Sequence, residues 1–229
     1  MQFFKPLMAG AQLGDRLVAC AGTTIGIALT IVVCTPLPLA TAGLPIIVAP
    51  LGASAVLVFA VPASPLAQPW PVVGGNVIST LVGVAAFRAV PDATVAAGVA
   101  VGAAVLVMSL LRCLHPPGGA AALTAVIGGE AIHAAGWFFA FAPVAINSVA
   151  LVALAMVFHR ISGHSYPHEP ALSPQAAATV REAAGFHLED IDRALAELPD
   201  SFDIGRADLD LLLSRAEVHA KRRREDRRG

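Results

Sequence analysis

Leu114-His115-Pro116-Pro117-Gly118-Gly119-Ala120-Ala121-Ala122-Leu123 is the stretch on which the reading of this chain turns. It follows a long apolar run, residues 93–111, and leads into another. Proline has no backbone N–H and clashes with the preceding helical turn. The residue before a proline is also pushed out of the α region. One helix is therefore expected to end near Leu114 and another to begin at Pro116 or Pro117, where proline fits well. The new helix would open with unpaired N–H groups and partial positive charge, a place for an anion or a polar solute. His115 stands at that break, and an ionisable residue inside an apolar region is a functional candidate by default.

The composition around this stretch is that of a membrane protein. Of 229 residues, 56% are hydrophobic and 14% are charged, with mean hydropathy +0.72. Soluble domains carry about 25% charged residues. Residues 1–158 hold only Lys5, Arg16, Arg88 and Arg112 against Asp15, Asp92 and Glu130. The rest of the charge lies beyond them, so the net charge of −1 hides a division. We read a membrane domain over 1–160 and a soluble tail over 161–229. Cys20, Cys34 and Cys113 lie in or beside apolar runs and read as buried, reduced thiols. No disulfide framework or zinc spacing is visible.

The apolar runs are 17–36, 44–62, 72–89, 93–111, the short one after the signature, and 137–158. The expected fold is all-α: a polytopic helical bundle of about six spans or broken spans, with a small soluble helical tail. Residues 39–42 look like a signal-cleavage site, but the run before them exceeds the ~7–15 residues of a signal core, so a retained first span is expected. Pro45, Pro50 and Gly52 interrupt the second run, as in re-entrant or kinked spans. Residues 63–71 read as a proline-rich turn, with Trp70 at a membrane interface. Gly74, Gly75 and Gly83 suit close helix packing. From Pro117 to His133 a helix would span about 25 Å at ~1.5 Å per residue, short for a core of ~30 Å.

The sequence also carries an internal echo. Pro50-Leu51-Gly52-Ala53-Ser54-Ala55-Val56 aligns with residues 117–123, and Asn76 with Asn147. Each half then reads as a long span, a Pro/Gly-broken span and an Asn-bearing span, a 3+3 inverted repeat of the kind whose paired breaks mark a transporter's substrate site. Small-residue composition produces such echoes by chance as well.

The His115–Ala120 string, together with Ser64-Pro65-Leu66-Ala67-Gln68-Pro69 before Gly74-Gly75, and Pro50-Leu51-Gly52-Ala53-Ser54-Ala55, resembles the HPP family of integral membrane proteins. The resemblance covers roughly residues 16–156. It implies a small multi-span membrane protein; some members are linked to nitrite transport and most have no assigned substrate. The family often carries His where this chain has Asn76, which weakens any carried-over role for that position. The tail resembles the helical linker that precedes a CBS pair in longer members; the pair itself is not in this sequence.

In the tail, Ser173-Pro174 reads as an N-cap and first helical residue, with Gly185 as the stop. Leu188, Ile191, Leu195 and Leu198 form one apolar stripe, and Leu209, Leu212, Leu213 and Ala216 another. These stripes call for a partner: each other, the membrane domain, a second copy or another protein. Lys221-Arg222-Arg223-Arg224 puts the C-terminus in the cytoplasm by the positive-inside rule; the expected location is the inner (plasma) membrane. The terminal basic residues are read as solvated or touching anionic headgroups.

The candidate substrate-binding residues are His115, Pro116, Pro117, Gly118 and Gly119 at one break, and Pro50, Gly52 and Ser54 at the other. Asn76, Asn147 and Thr124 are added as polar residues within the spans. The plainer alternatives are a His that only ends a helix, Asn residues that join helices, and hydroxyls that bond back to their own carbonyls. Protonated, His115 would attract an anion, and an imidazole titrating near neutral pH would allow proton coupling. Glu130 and His133 have one half of a di-iron spacing without the other ligands. His159, His164 and His168 read as a wet connector more readily than as a metal site. No nucleophile–base pair, phosphate loop or nucleic-acid module is visible, so neither enzyme activity nor a cofactor, metal or nucleic-acid partner is expected. The expected partners are the bilayer and a small solute. A small inorganic anion such as nitrite is the choice the resemblance implies, and a neutral molecule fits the same residues. The rival expectation is a membrane-anchored sensor or assembly subunit acting through its tail.

Overall fold

The structure, a computed structural model, describes residues 13–37, 43–169, 174–184, 187–197 and 203–226. Residues 39–42, Ser173, Gly185 and Leu198, singled out above, lie outside them. The described residues form helices and no strand.

The first helix, α1 (Leu13–Cys34), is 22 residues long. Thr23, Thr24 and Thr30 donate back to the carbonyls of Ala19, Cys20 and Gly26, which leaves no hydroxyl of the three unpaired. Cys34 is buried, but Cys20 is exposed on this helix, contrary to the expectation of three buried thiols. The second helix, α2 (Pro50–Ala60), is shorter than its apolar run, because Pro45 and Pro50 bar a helix upstream and Pro50 suits the first turn. A 3-10 turn, Pro65–Ala67, leads into α3 (Pro69–Ala89). That helix starts before the expected boundary, so Trp70 is helical and its indole N–H donates to the Leu111 carbonyl at 3.2 Å.

Helix α4 (Ala93–Leu110) is capped by Asp92, whose carboxylate accepts the Val95 N–H at 2.9 Å. The signature then opens α5 (Pro116–Ile127), with His115 extended at its N-cap. The expected continuation to His133 is corrected. Gly128 leaves the helix at φ −65°, ψ 159°, and a six-residue helix, α6 (Glu130–Ala135), follows. A side chain on Gly128 would meet the Thr124 carbonyl and Ile132, so glycine makes this sharp exit fit. The expected continuous last span is corrected too. Ala142, before Pro143, is non-helical at φ −131°, ψ 113°, within a wide turn over Ala140–Ala145. Helix α7 (Ile146–Ser162) then ends on Gly163 in the left-handed region at φ 75°.

Among the described residues, four segments are long and apolar enough to cross a bilayer: Leu13–Cys34, Pro69–Ala89, Ala93–Leu110 and Ala140–Ser162. With 11 and 12 residues, α2 and α5 are apolar but short. At ~1.5 Å per residue each reaches about 17 Å, roughly half a hydrocarbon core of ~30 Å. The protein is thus a multi-pass membrane protein whose expected six runs resolve into four full-length helices and two half-length ones.

The order long, short, long occurs twice, as α1–α2–α3 and α4–α5–α7. The main contacts follow the same pattern. Exchanging the halves maps α1 on α2 to α4 on α5, α1 on α7 to α4 on α3, and α2 on α7 to α5 on α3. The pairs α2 on α5 and α3 on α7 map onto themselves, while the contact of α3 with the Ala140–Ala145 turn has no counterpart. Small residues make this possible, because association in lipid depends on close backbone approach. Ala96, Ala100 and Ala104 of α4 are buried in one cluster with Ala122 and Val126 of α5. In the other cluster, Leu51, Ala55, Val58 and Phe59 of α2 meet Leu151, Val152 and Ala155 of α7. Gly83 of α3 lies against the Ala122 backbone, where a Cβ would come 2.9 Å from its Cα.

The chain divides into two compact units: residues 1–62 with 66–167, and 63–65 with 168–229. The second unit contains α8 (Pro174–Ala184), α9 (Leu188–Glu197) and α10 (Arg206–Asp226), with α8 packed on α10. Ile191 of α9 is buried, as its stripe implies. On α10, Leu212 and Leu213 of the expected stripe are 59% and 39% exposed, so the stripe still calls for a partner, while Asp210 and Ser214 are buried. Ser214 Oγ lies 3.5 Å from Asp210 Oδ1 within that buried face.

Candidate functional site

The extended N-cap of α5 turns the His115 ring into the protein, where it is fully buried. Its Nδ1 lies 2.9 Å from the Leu66 carbonyl oxygen, an acceptor only, so Nδ1 carries the proton and donates. In the neutral imidazole Nε2 is then an acceptor. It takes the hydroxyl of Ser54, on α2, at 2.8 Å. Ser54 Oγ in turn accepts from Asn76 Nδ2 at 3.2 Å, and that same amide donates to Ser148 Oγ at 3.2 Å. Asn76 lies on α3 and Ser148 on α7. Ser54, Asn76, His115 and Ser148 are all buried. Four helices thus meet in one hydrogen-bonded chain with no charged member. Two buried atoms beside it have no protein partner: Asn76 Oδ1, and Ser79 Oγ one turn further along α3.

The backbone lets these side chains converge. A Cβ on Gly75 would lie 2.6 Å from His115 Cβ and 2.8 Å from the Cys113 carbonyl. The 3-10 turn that supplies Leu66 is also held from the other direction, as the buried Tyr166 hydroxyl donates to the Ala67 carbonyl at 2.9 Å. Burial pushes the Tyr166 phenol up from its ordinary range, so it stays a donor at neutral pH.

The other expected residues are distributed differently. Gly118 is a packing glycine: a Cβ there would lie 2.7 Å from Ser79 Oγ and 2.9 Å from the Gly75 carbonyl. Its N–H already donates to the His115 carbonyl at 2.8 Å, which corrects the expectation of a free amide at this position. Gly119 has Val101 at 3.7 Å as its near neighbour. Pro117 is buried and Pro116 exposed at the opening of α5; Pro50 is buried at the opening of α2. Gly52 faces outward with open space beside it, away from the polar chain. Thr124 bonds back to the Ala120 carbonyl at 2.7 Å, the plainer of its two expected roles.

Asn147 does not join His115. Its Oδ1 accepts the Val48 N–H at 3.1 Å, and its Nδ2 donates to the Ile46 carbonyl at 2.9 Å and to Cys34 Sγ at 3.2 Å. It therefore holds the non-helical segment that enters α2. Replacement by alanine would take the partner from the buried Val48 N–H and the donor from the half-buried Ile46 carbonyl, at up to about 1–3 kcal/mol each. Asn147→Ala is expected to lower the thermal unfolding midpoint in detergent, and an unchanged midpoint would remove this role.

Ser148 and Ser79 were missed in the sequence, and Ser148's position beside Asn147 was the signal for it. The expected wet histidine connector is corrected at His159, which is buried and donates from Nε2 to the Val58 carbonyl at 2.9 Å, at the end of α2. His133 does the same for α5, donating to the Val126 carbonyl at 3.0 Å. Each short helix thus has a histidine on its last turn. Among the described residues no group of three His, Cys, Asp or Glu is arranged to hold a metal.

Comparison with known proteins agrees on the membrane unit. A transmembrane protein of Dictyostelium discoideum is 35% identical over 127 residues, 53% of this chain and 44% of the relative. A second from the same organism is 38% identical over 114 residues, 48% of this chain and 36% of the relative. The chain therefore spans less than half the length of each of these relatives. No solved structure matches it. The profile of the HPP transmembrane region matches residues 8–167, well over half of the sequence, and the chain belongs to the HPP transmembrane family.

Proposed function

We propose that this protein is a membrane transporter or channel for a small solute. Its polar centre is the chain of Leu66 carbonyl, His115, Ser54, Asn76 and Ser148. The supporting observation is that an uncharged polar chain, fully buried, joins both half-length helices to both Asn-bearing ones. Buried polar groups in a membrane bundle are costly and gather where solutes pass. The two halves, read as an inverted repeat, would rock about this centre. A small inorganic anion such as nitrite is the candidate substrate; the location is the inner (plasma) membrane, with the tail on the cytoplasmic side. Binding and passage need no bond-making residue, so no enzymatic step is assigned.

The test is uptake of nitrite, other small anions and small neutral solutes into proteoliposomes carrying the full chain. Flux above that of empty vesicles is expected for at least one, and none for any of them would remove the transporter reading. A second reading, an assembly or sensor subunit, is favoured by the exposed Leu212 and Leu213 of α10. Deleting residues 168–229 separates the two. Transport by the membrane unit is expected to persist, whereas loss of flux with a folded membrane unit would favour a working role for the tail.

A further inference from the structure

Resting on the transporter reading above, we infer that an anion occupies the His115 centre only together with a proton. One proton then crosses with each monovalent anion, and no net charge moves. The first observation is the position of Ser54. Its single hydroxyl hydrogen has two acceptors in reach, His115 Nε2 at 2.8 Å and the Pro50 carbonyl at 3.4 Å. With a neutral ring, Nδ1–H stays on the Leu66 carbonyl and the Ser54 hydroxyl points to Nε2. With a proton added, Nε2–H donates to Ser54 Oγ and the hydroxyl turns to Pro50. Ser54 Oγ then accepts from both His115 and Asn76, which fills its two lone pairs. The proton that enters with the anion is accommodated at Nε2 by rotation of one O–H bond.

The second observation is the shortage of other charge. Within their helical spans α2, α4 and α5 carry no titratable residue, and neither does the 3-10 turn. On α3 the titratable group is Arg88, in the last turn with its guanidinium over the Trp137 ring. On α7 they are His159, already donating to Val58, and Arg160 in the last turn. Beside the signature, Arg112 is exposed and Cys113 is a buried thiol. A bare anion at this depth would have no balancing charge, and His115 is placed to supply it.

The third observation is the pair of buried atoms without protein partners, Asn76 Oδ1 and Ser79 Oγ. One accepts and the other both accepts and donates. Such a pair suits a neutral acid, or an anion with its proton, better than an anion alone. The balance is simple: X⁻ and H⁺ enter from one side, rest together with the proton either on His115 or on X as HX donating to Asn76 Oδ1, and leave together on the other side.

The experiment uses the full chain in proteoliposomes with a trapped pH dye and a potential clamped by valinomycin and potassium. The probes are nitrite, nitrate and formate, one at a time. Expected are uptake that rises with external proton concentration, one proton entering per anion, and no response to the clamped potential. Anion uptake that follows potential, or that brings in no proton, overturns this inference and leaves the transporter reading standing. So does uptake of a neutral solute such as urea with none of the three anions. No uptake of any probe or neutral solute overturns both. His115→Gln keeps a polar side chain that cannot take the proton, and is expected to lose the coupled uptake. Retention of one-to-one coupling in that variant places the proton elsewhere and also overturns the inference. Should the variant not fold, the wild-type stoichiometry decides alone.

Discussion

His115→Ala is expected to cut solute uptake about 10- to 100-fold, while Thr124→Ala leaves it within about twofold. The difference follows from what each side chain touches. Removing the imidazole takes the Nδ1–H donor from the Leu66 carbonyl and the Nε2 acceptor from the Ser54 hydroxyl in a water-poor interior. An unpaired buried group costs about 1–3 kcal/mol, and each 1.4 kcal/mol is about tenfold in an equilibrium. Thr124 bonds only to the Ala120 carbonyl of its own helix, so its loss leaves the polar centre intact. Uptake should be compared at equal amounts of folded protein, judged by size-exclusion profile and thermal midpoint. Equal effects of the two substitutions would remove His115 from the site.

The second large effect is expected at Gly83. An added methyl group there meets the Ala122 backbone as well as Ala125 Cβ at 2.9 Å. Backbone atoms of a packed helix cannot rotate away, so α3 and α5 must separate. Overpacking of this kind costs about 1–3 kcal/mol. Gly83→Ala should therefore lower the thermal midpoint in detergent and reduce uptake together, because α3 and α5 carry Asn76 and His115. Gly52→Ala, in open space at the first turn of α2, is the matched control and should change neither. A Gly83→Ala protein as stable as wild type would show that the two helices have room to part.

Much of the architecture was legible in the residues. Alternating apolar runs and sparse charge over residues 1–158 marked a polytopic helical membrane unit, and a charged remainder marked the helical tail. Pro116 and Pro117 fixed where α5 begins, since proline is tolerated only in the first turn. Boundaries set by packing were less legible. The break at Gly128 depends on Thr124 and Ile132 crowding the position where a side chain would go. The exposed leucines of α10 show the same limit, as apolar spacing gives a stripe but not which face finds a neighbour.

The site divides along similar lines. His115, Ser54 and Asn76 were identifiable as polar residues beside breaks or within apolar spans, yet 61 and 22 residues separate the pairs that bond. Asn147 was equally identifiable, but it clamps the entry to α2 instead. Sequence alone determined that the backbone is interrupted twice and that polar groups lie near the interruptions, because proline geometry and the cost of polarity in lipid are local matters. Only the tertiary structure decided which donor meets which acceptor. That depends on how closely α3 and α5 approach over Gly75 and Gly83, and a hydrogen bond survives only a few tenths of an ångström of error.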